Sequence, residues 1–293
     1  MRQKSNKLEG PNKISVANLE LARTIGPRHR FENSMSKLNL GNISLGYDEV
    51  GPPDSPQTVV LIHGFASNRL ENWRRLGWLG AFERRRIRAI AFDLRGHGES
   101  GKPHDPAAYA EDELNSDLAG VIATLDARNV TLMGYSRGAR VGLAAAMAAP
   151  ERFPRLILGG VGDRMFETSS TRDEMAAAME TSDPGSIIDP LLKSFRQFAD
   201  EQGEDREALA AFSRAARAPL EREGLSKIQA QALIVTGSHD DVAGPIDTLA
   251  ACIPRAKSVV LPGCDHFSAI AHALFKAAVF DFLEETELGE FGR

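Results

Sequence analysis

The chain has 293 residues, 42% hydrophobic and 26% charged, which is long enough for one large α/β domain or two small ones. Its 35 lysines and arginines against 40 aspartates and glutamates give a net charge of −5, which argues against nucleic acid or an anionic membrane as the main partner. The two cysteines, Cys252 and Cys264, are too few for a disulfide framework and have no metal-ligand spacing with histidine. We therefore expect no bound metal.

The first 35 residues carry scattered Lys, Arg, Asn and Ser without sustained periodicity, and this predicts a flexible extension over residues 1–35. They contain no apolar segment typical of a secretory signal. No apolar run in the chain is long enough to span a bilayer. We expect a cytoplasmic protein that acts on a small molecule, without a nucleic-acid partner or a membrane span, and the oligomeric state stays open.

Predicted strands and helices alternate through the first half of the chain. Residues 42–48 alternate apolar and polar side chains, the pattern of an edge strand. Continuous apolar runs then predict buried strands, and apolar residues three or four apart predict helices between them. In chain order these are strand 58–62, helix 73–83, strand 87–92, helix 114–125, strand 130–133, helix 139–149 and strand 156–161. Such alternation predicts a mostly parallel sheet with helices on both faces.

The pattern changes after the strand that ends at residue 161. Three short helices and no strand are predicted within residues 163–227, and the sheet then resumes with two more strands. The later elements are strand 232–236, strand 258–261 and a closing helix over 268–283. We predict an α/β core made of residues 36–162 and 228–293, with residues 163–227 inserted as a helical lid over the carboxyl edge of the strands.

The segment Gly134-Tyr135-Ser136-Arg137-Gly138 has a strand before it and an Ala-rich helix after it. Gly-x-Ser-x-Gly in this context is typical of a nucleophile elbow, a sharp turn that projects the serine above the sheet edge. Glycines two positions before and after the serine avoid collisions that a side chain would cause in so tight a turn. Ser136 is therefore the predicted nucleophile, at a helix N-terminus that favours developing negative charge.

A serine nucleophile needs a histidine base, and the base needs a carboxylate that orients it. His266 follows the last predicted strand and is the predicted base. Three aspartates lie after other strands: Asp240 and Asp241 after the preceding strand, and Asp163 just after the strand at 156–161. We favour Asp240 as the acid, with Asp241 next and Asp163 behind them. Asp265 adjoins the base, and we expect it to close its own loop by a hydrogen bond.

Hydrolysis through a serine also needs N–H donors for the oxyanion of the tetrahedral intermediate. The backbone N–H of Arg137, the residue after the nucleophile, is the first candidate. Phe65 supplies the second, from the His63-Gly64-Phe65 loop that follows the first buried strand. For His63 and for His97, which also lies in a glycine-containing loop, we expect structural hydrogen bonds.

Taken together, these motifs resemble the α/β-hydrolase superfamily. The resemblance rests on segments 63–65, 93–100, 134–138, 237–240 and 265–266, which occur in the family order. It implies an eight-stranded sheet with a lid and no cofactor. It also implies a catalytic triad of Ser136, Asp240 and His266, with oxyanion donors at Phe65 and Arg137.

Arg137 departs from the family pattern, because many relatives have a compact apolar residue after the nucleophile. Its charge suggests either a pair with Glu99 or Asp163, or a preference for an anionic substrate.

The leading functional hypothesis is hydrolysis of carboxylic esters through an acyl-enzyme on Ser136. C–C bond hydrolysis and enol-lactone hydrolysis use the same triad and remain alternatives, with perhydrolysis as a side reaction. A hypothesis of another class is a non-catalytic binding protein with the hydrolase fold. An intact set of catalytic residues favours an enzyme.

Overall fold

The computed structural model describes residues 36–167, 172–216 and 220–290, so the predicted flexible extension at 1–35 lies outside the described residues. Eight strands form one sheet. They are β1 (Ser36–Asn39), β2 (Ser44–Val50), β3 (Thr58–Ile62), β4 (Arg88–Phe92), β5 (Val130–Tyr135), β6 (Arg155–Gly159), β7 (Gln231–Gly237) and β8 (Ala256–Leu261). Their order across the sheet is β1-β2-β4-β3-β5-β6-β7-β8.

The sheet is mostly parallel, as predicted, with an antiparallel start. β1 pairs antiparallel with β2, β2 pairs antiparallel with β4, and every other neighbouring pair is parallel. The prediction that 42–48 forms the edge strand was wrong, because β1 lies outside β2. β1 has four residues and buries only Leu38, too short a pattern for a period of two to be recognised.

Nine α-helices surround the sheet in the described part of the chain. They are α1 (Trp78–Arg84), α2 (Glu111–Thr124), α3 (Arg137–Ala148), α4 (Arg172–Glu180), α5 (Pro190–Gln202), α6 (Arg206–Arg214), α7 (Arg222–Ser226), α8 (Asp247–Cys252) and α9 (Ala273–Glu290). α8 was not predicted, since six residues are too few to show a helical period. The closing helix begins at Ala273 and not at 268, because Ala269–Ala271 form a separate 3-10 turn.

The predicted helix over 73–83 is two elements. Leu70–Arg75 form a π-helical turn, and α1 starts only at Trp78. Between them Gly77 has φ 74°, in the left-handed region that glycine adopts without strain. The apolar spacing was read correctly, but the glycine breaks the helix that the spacing predicted.

Hydrophobic cores lie on both faces of the sheet, because successive side chains of a strand point to opposite faces. On β3, Val60 and Ile62 join a cluster that includes α2 and α3. Val59 and Leu61 join the other cluster, with residues of α1 and α9. All five residues of β3 are buried, which is why the four after Thr58 are all apolar.

The described residues of 163–227 form helices and no strand, and buried polar contacts tie them to the core. Glu204, between α5 and α6, is only 8% exposed. Its carboxylate accepts hydrogen bonds from Asn68 Nδ2 at 2.9 Å and from the Gly98 N–H at 2.8 Å. One side chain of the insertion therefore joins two loops at the carboxyl edge of the sheet.

We expect Glu204 to make stability depend on pH. Burial raises the pKa of the Glu204 carboxyl above its ordinary value, although the donors Asn68 and Gly98 act in the opposite direction. The folded state then binds this proton more tightly than the unfolded state, so its contribution to stability is complete below the ordinary glutamate pKa. As the pH rises through the raised folded pKa, wild type should lose stability relative to Glu204→Gln, measured by urea unfolding at several pH values. A difference in stability between wild type and Glu204→Gln that is independent of pH, or that changes with pH in the opposite direction, would contradict this expectation.

Candidate active site

Ser136 lies at a strained turn between β5 and α3. Its backbone has φ 52° and ψ −113°, a positive φ that non-glycine residues rarely adopt. The Ser136 N–H donates to the Gly159 carbonyl at 2.7 Å, and its own carbonyl accepts from the Arg140 N–H at 3.1 Å. The strand on one side and the helix on the other hold this conformation, as the elbow pattern predicts.

The two flanking glycines are required by close backbone contacts. A Cβ on Gly134 would lie 2.4 Å from the Ala139 nitrogen, and one on Gly138 would lie 2.0 Å from the Ile62 carbonyl oxygen. Both distances are shorter than van der Waals contact with backbone that cannot move aside. Any larger residue at either position would therefore displace the turn that carries Ser136.

Ser136, His266 and Asp240 form one hydrogen-bonded chain. His266 Nε2 lies 2.9 Å from Ser136 Oγ, and His266 Nδ1 lies 2.9 and 3.0 Å from the two Asp240 carboxylate oxygens. His266 and Asp240 are 5% and 3% exposed, while Ser136 is half-buried. This geometry suits a neutral imidazole whose Nδ1–H donates to Asp240 and whose Nε2 accepts from the serine hydroxyl.

Backbone N–H groups of its own loop fix the Asp240 carboxylate. Oδ1 accepts from Val242 at 3.1 Å and from Ala243 at 2.8 Å. The other two candidate acids are elsewhere: Asp241 is exposed, and Asp163 accepts from two N–H groups in the first turn of α8. Only Asp240 of the three contacts His266.

Tyr135 contacts the predicted base and was not singled out from the sequence. Its hydroxyl donates to the His266 carbonyl at 2.6 Å. Burial, and next the Asp240 charge, raise the pKa of Tyr135 well above its ordinary value, so the hydroxyl stays a donor. Asp265 closes the same loop as expected, accepting from the Phe267 and Ser268 N–H groups at 3.1 and 2.8 Å.

The loop after β3 approaches the serine closely. A Cβ on Gly64 would lie 3.6 Å from the Ser136 Cβ. The Gly64 N–H donates to Asn72 Oδ1 at 2.9 Å, so Asn72, which the sequence did not reveal, holds the loop. Within the part of the chain that the structure describes, the Phe65 N–H donates to no other group.

His63 and His97 have the structural hydrogen bonds that were expected. His63 Nε2 accepts from the Leu94 N–H at 2.9 Å, and its Nδ1 contacts the Gly64 carbonyl at 2.7 Å. His97 Nδ1 contacts the Arg95 carbonyl at 3.1 Å. Burial lowers the pKa of both rings, that of His97 well below its ordinary value, which favours the neutral form of each.

Glu99 and Asp163, the two acids predicted as partners of Arg137, contact other groups in the described structure. Glu99 contacts the guanidinium of Arg69, and Asp163 caps α8 in the described structure. The Arg137 guanidinium lies over the ring of Phe212, 5.8 Å from its centroid. This contact joins the residue after the nucleophile to α6 of the insertion.

Two aromatic residues of the insertion reach the site. The Phe195 ring lies 5.9 Å from that of Phe65 and 6.4 Å from that of His266. The Phe212 ring lies 6.0 Å from Phe65 and 5.0 Å from His97. Sequence reasoning missed both, because a phenylalanine in a helix is equally typical of an ordinary core position.

Two further searches cover only residues 36–167, 172–216 and 220–290. No three His, Cys, Asp or Glu side chains there are grouped so as to hold a metal ion. No helix in these ranges is long and apolar enough to cross a membrane.

The chain matches the Alpha/beta hydrolase family over residues 59–278. It belongs to that family, and the eight-stranded sheet agrees with the resemblance seen in the motifs.

Named relatives differ in activity. The chain is 30% identical over 256 residues to 2-hydroxymuconate semialdehyde hydrolase from Pseudomonas sp. strain CF600, covering 78% of this chain and 87% of the relative. It is also 30% identical over 245 residues to a dihydrolipoyllysine-residue acetyltransferase component of an acetoin cleaving system from Pseudomonas putida. That alignment covers 78% of this chain but only 64% of the relative, so the chain spans less than two thirds of its length.

Among solved structures, the enol-lactonase from Burkholderia xenovorans LB400 is similar, with a TM-score of 0.70 and 25% identity. The match covers 83% of this chain and 98% of the enol-lactonase.

Proposed function

We propose that this protein is a serine hydrolase that cleaves carboxylic esters through an acyl-enzyme intermediate on Ser136. The observation that carries the proposal is the hydrogen-bonded chain from Asp240 through His266 to Ser136. A serine hydroxyl is a weak nucleophile at neutral pH, and contact with an oriented imidazole is what activates it.

In the proposed mechanism, His266 Nε2 takes the hydroxyl proton as Ser136 Oγ attacks the ester carbonyl. Asp240 stabilises the imidazolium that results. The Phe65 and Arg137 N–H groups donate to the developing oxyanion, the second of them from the start of α3. His266 then protonates the departing alcohol, and a water activated by the same imidazole hydrolyses the acyl-enzyme.

The insertion at 163–227 acts as a lid in this proposal, over a catalytic core formed by 36–162 and 228–293. The contacts of Phe195 with Phe65 and His266 support that role, because they place an insertion side chain beside a proposed donor and the proposed base.

The second candidate is hydrolysis of a C–C bond or an enol-lactone by the same residues. It is supported by similarity to a 2-hydroxymuconate semialdehyde hydrolase and to an enol-lactonase. The triad does not separate these reactions, because each includes attack at a carbonyl carbon.

A substrate panel tests these hypotheses with purified protein. We expect p-nitrophenyl acetate and butyrate to give a higher kcat/KM than 2-hydroxymuconate semialdehyde or an enol-lactone. The opposite ranking would replace ester hydrolysis by the second candidate. Absence of turnover on every compound, together with unreactive Ser136, would favour a non-catalytic binding protein.

A further inference from the structure

The insertion is held to the core by polar contacts on one side. Glu204 bonds Asn68 and the Gly98 N–H, both in loops of the core. Close by, His104 Nε2 lies 3.0 Å from the Asp205 carboxylate. The His104 contact is exposed, but separating this part of the insertion from the core would break the two hydrogen bonds of the buried Glu204 carboxyl, which is costly.

A second part of the insertion makes a different kind of contact. Here α5 meets the loop at 262–272, which carries His266. All residues of both segments are described, and between them the structure has no hydrogen bond or ion pair. The contact is made by rings: Phe195 lies 5.4 Å and Phe198 lies 6.2 Å from Phe267, centroid to centroid.

These three phenylalanines, Phe195, Phe198 and Phe267, form an aromatic seam that runs from the surface to the proposed base. At its outer end Phe267 is 42% exposed. Phe195 is 7% exposed, and the rings of Phe195 and Phe267 lie 6.4 and 5.7 Å from that of His266, whose Nε2 is bonded to Ser136. The seam is therefore a continuous line of rings from solvent to the nucleophile.

The rings of the seam can separate without leaving a buried hydrogen-bonding group unpaired. The contacts of Glu204 cannot separate without doing so. The insertion should thus open at the seam while the contacts of Glu204 stay closed. A passage lined by rings favours apolar and aryl groups over charged ones.

We propose that substrates reach Ser136 through the aromatic seam and that Phe267 limits the size of the group that passes. This inference rests on the proposed function of Ser136 as the nucleophile. It predicts that the preferred substrate is a carbonyl compound with a flat or extended apolar substituent.

The test compares the rates at which a small and a bulky fluorophosphonate, ethyl and naphthyl, label Ser136 in the full-length protein. Phe267→Ala should raise the bulky-to-small ratio of second-order rate constants about tenfold, and Phe267→Trp should lower it. Phe198 contacts Phe267 from α5, and Phe198→Ala should raise the ratio as Phe267→Ala does. Ile188→Ala is the matched control, an apolar residue of the insertion that is 96% exposed and outside the seam, and should leave the ratio unchanged.

Opposite shifts in the alanine and tryptophan variants would support the seam, since damage to the fold would move both in one direction. If the ratio does not move, or moves equally in Ile188→Ala, the passage lies elsewhere and the inference is wrong while the proposed function stands. If neither reagent labels wild-type Ser136 and no ester is cleaved, the proposed function fails, and the seam as a substrate passage fails with it.

Discussion

Replacing Ser136 with alanine is expected to lower kcat for p-nitrophenyl butyrate by roughly 10⁵- to 10⁶-fold, as loss of a triad serine does elsewhere. The variant keeps the imidazole of His266 and the proposed oxyanion donors but has no atom that can form the acyl-enzyme. Initial-rate kinetics would measure the loss. Labelling by a fluorophosphonate should disappear at the same time.

The fold of Ser136→Ala should be unchanged. The site already has a β-carbon at φ 52°, and alanine adds no atom to it. The thermal unfolding midpoint should therefore stay close to that of wild type. Ser67→Ala is a suitable control, because Ser67 is buried in the loop after β3, which approaches Ser136, and its hydroxyl has no hydrogen-bond partner in the described residues. Turnover that survives in Ser136→Ala would disprove the nucleophile assignment.

The sequence predicted the backbone of the turn at Ser136 well, because local rules determine it. The turn at Ser136 requires Gly134 and Gly138 whatever the rest of the chain does, because their Cβ atoms would collide with backbone. Parallel strands also end at a common edge, so the loops with Asp240 and His266 were expected near the serine. Order along the chain and strand boundaries were enough to bring these residues together.

Residues that act across large sequence separations were missed. Tyr135 binds the His266 carbonyl 131 positions away, and Asn68 binds Glu204 136 positions away. No local sequence pattern around a tyrosine or a glutamate predicts such a partner. The contacts of Phe195 and Phe212 could not be predicted either, since their helical spacing fits any packed core. These contacts depend on how the insertion sits on the sheet.

The predicted element boundaries were wrong where one residue interrupts a periodic pattern. The apolar spacing that predicted a helix over 73–83 continues through Gly77, but the positive φ of Gly77 divides it. β1 was missed for the opposite reason, because four residues give almost no pattern. A local backbone conformation decides the first case and pairing with β2 decides the second, and the sequence period shows neither.

The Asp240 assignment gives the second large expected effect. Asp240→Asn should lower kcat/KM for p-nitrophenyl butyrate by about 10³- to 10⁴-fold. The asparagine must keep its oxygen toward the Val242 and Ala243 N–H groups, which donate to Oδ1 in wild type. Its amide nitrogen then faces His266 and donates to Nδ1. The imidazole would carry its proton on Nε2, where it cannot accept the proton of Ser136.

Asp241→Asn is the matched control, the same chemical change one residue later on an exposed side chain. Its kcat/KM should stay within about twofold of wild type, as for most surface substitutions. Initial rates for both variants, with circular dichroism to verify folding, decide between the two aspartates. A larger loss in Asp241→Asn would transfer the role of acid to Asp241. Equal small losses would mean that His266 is oriented mainly by its other contact, the Tyr135 hydroxyl on its carbonyl.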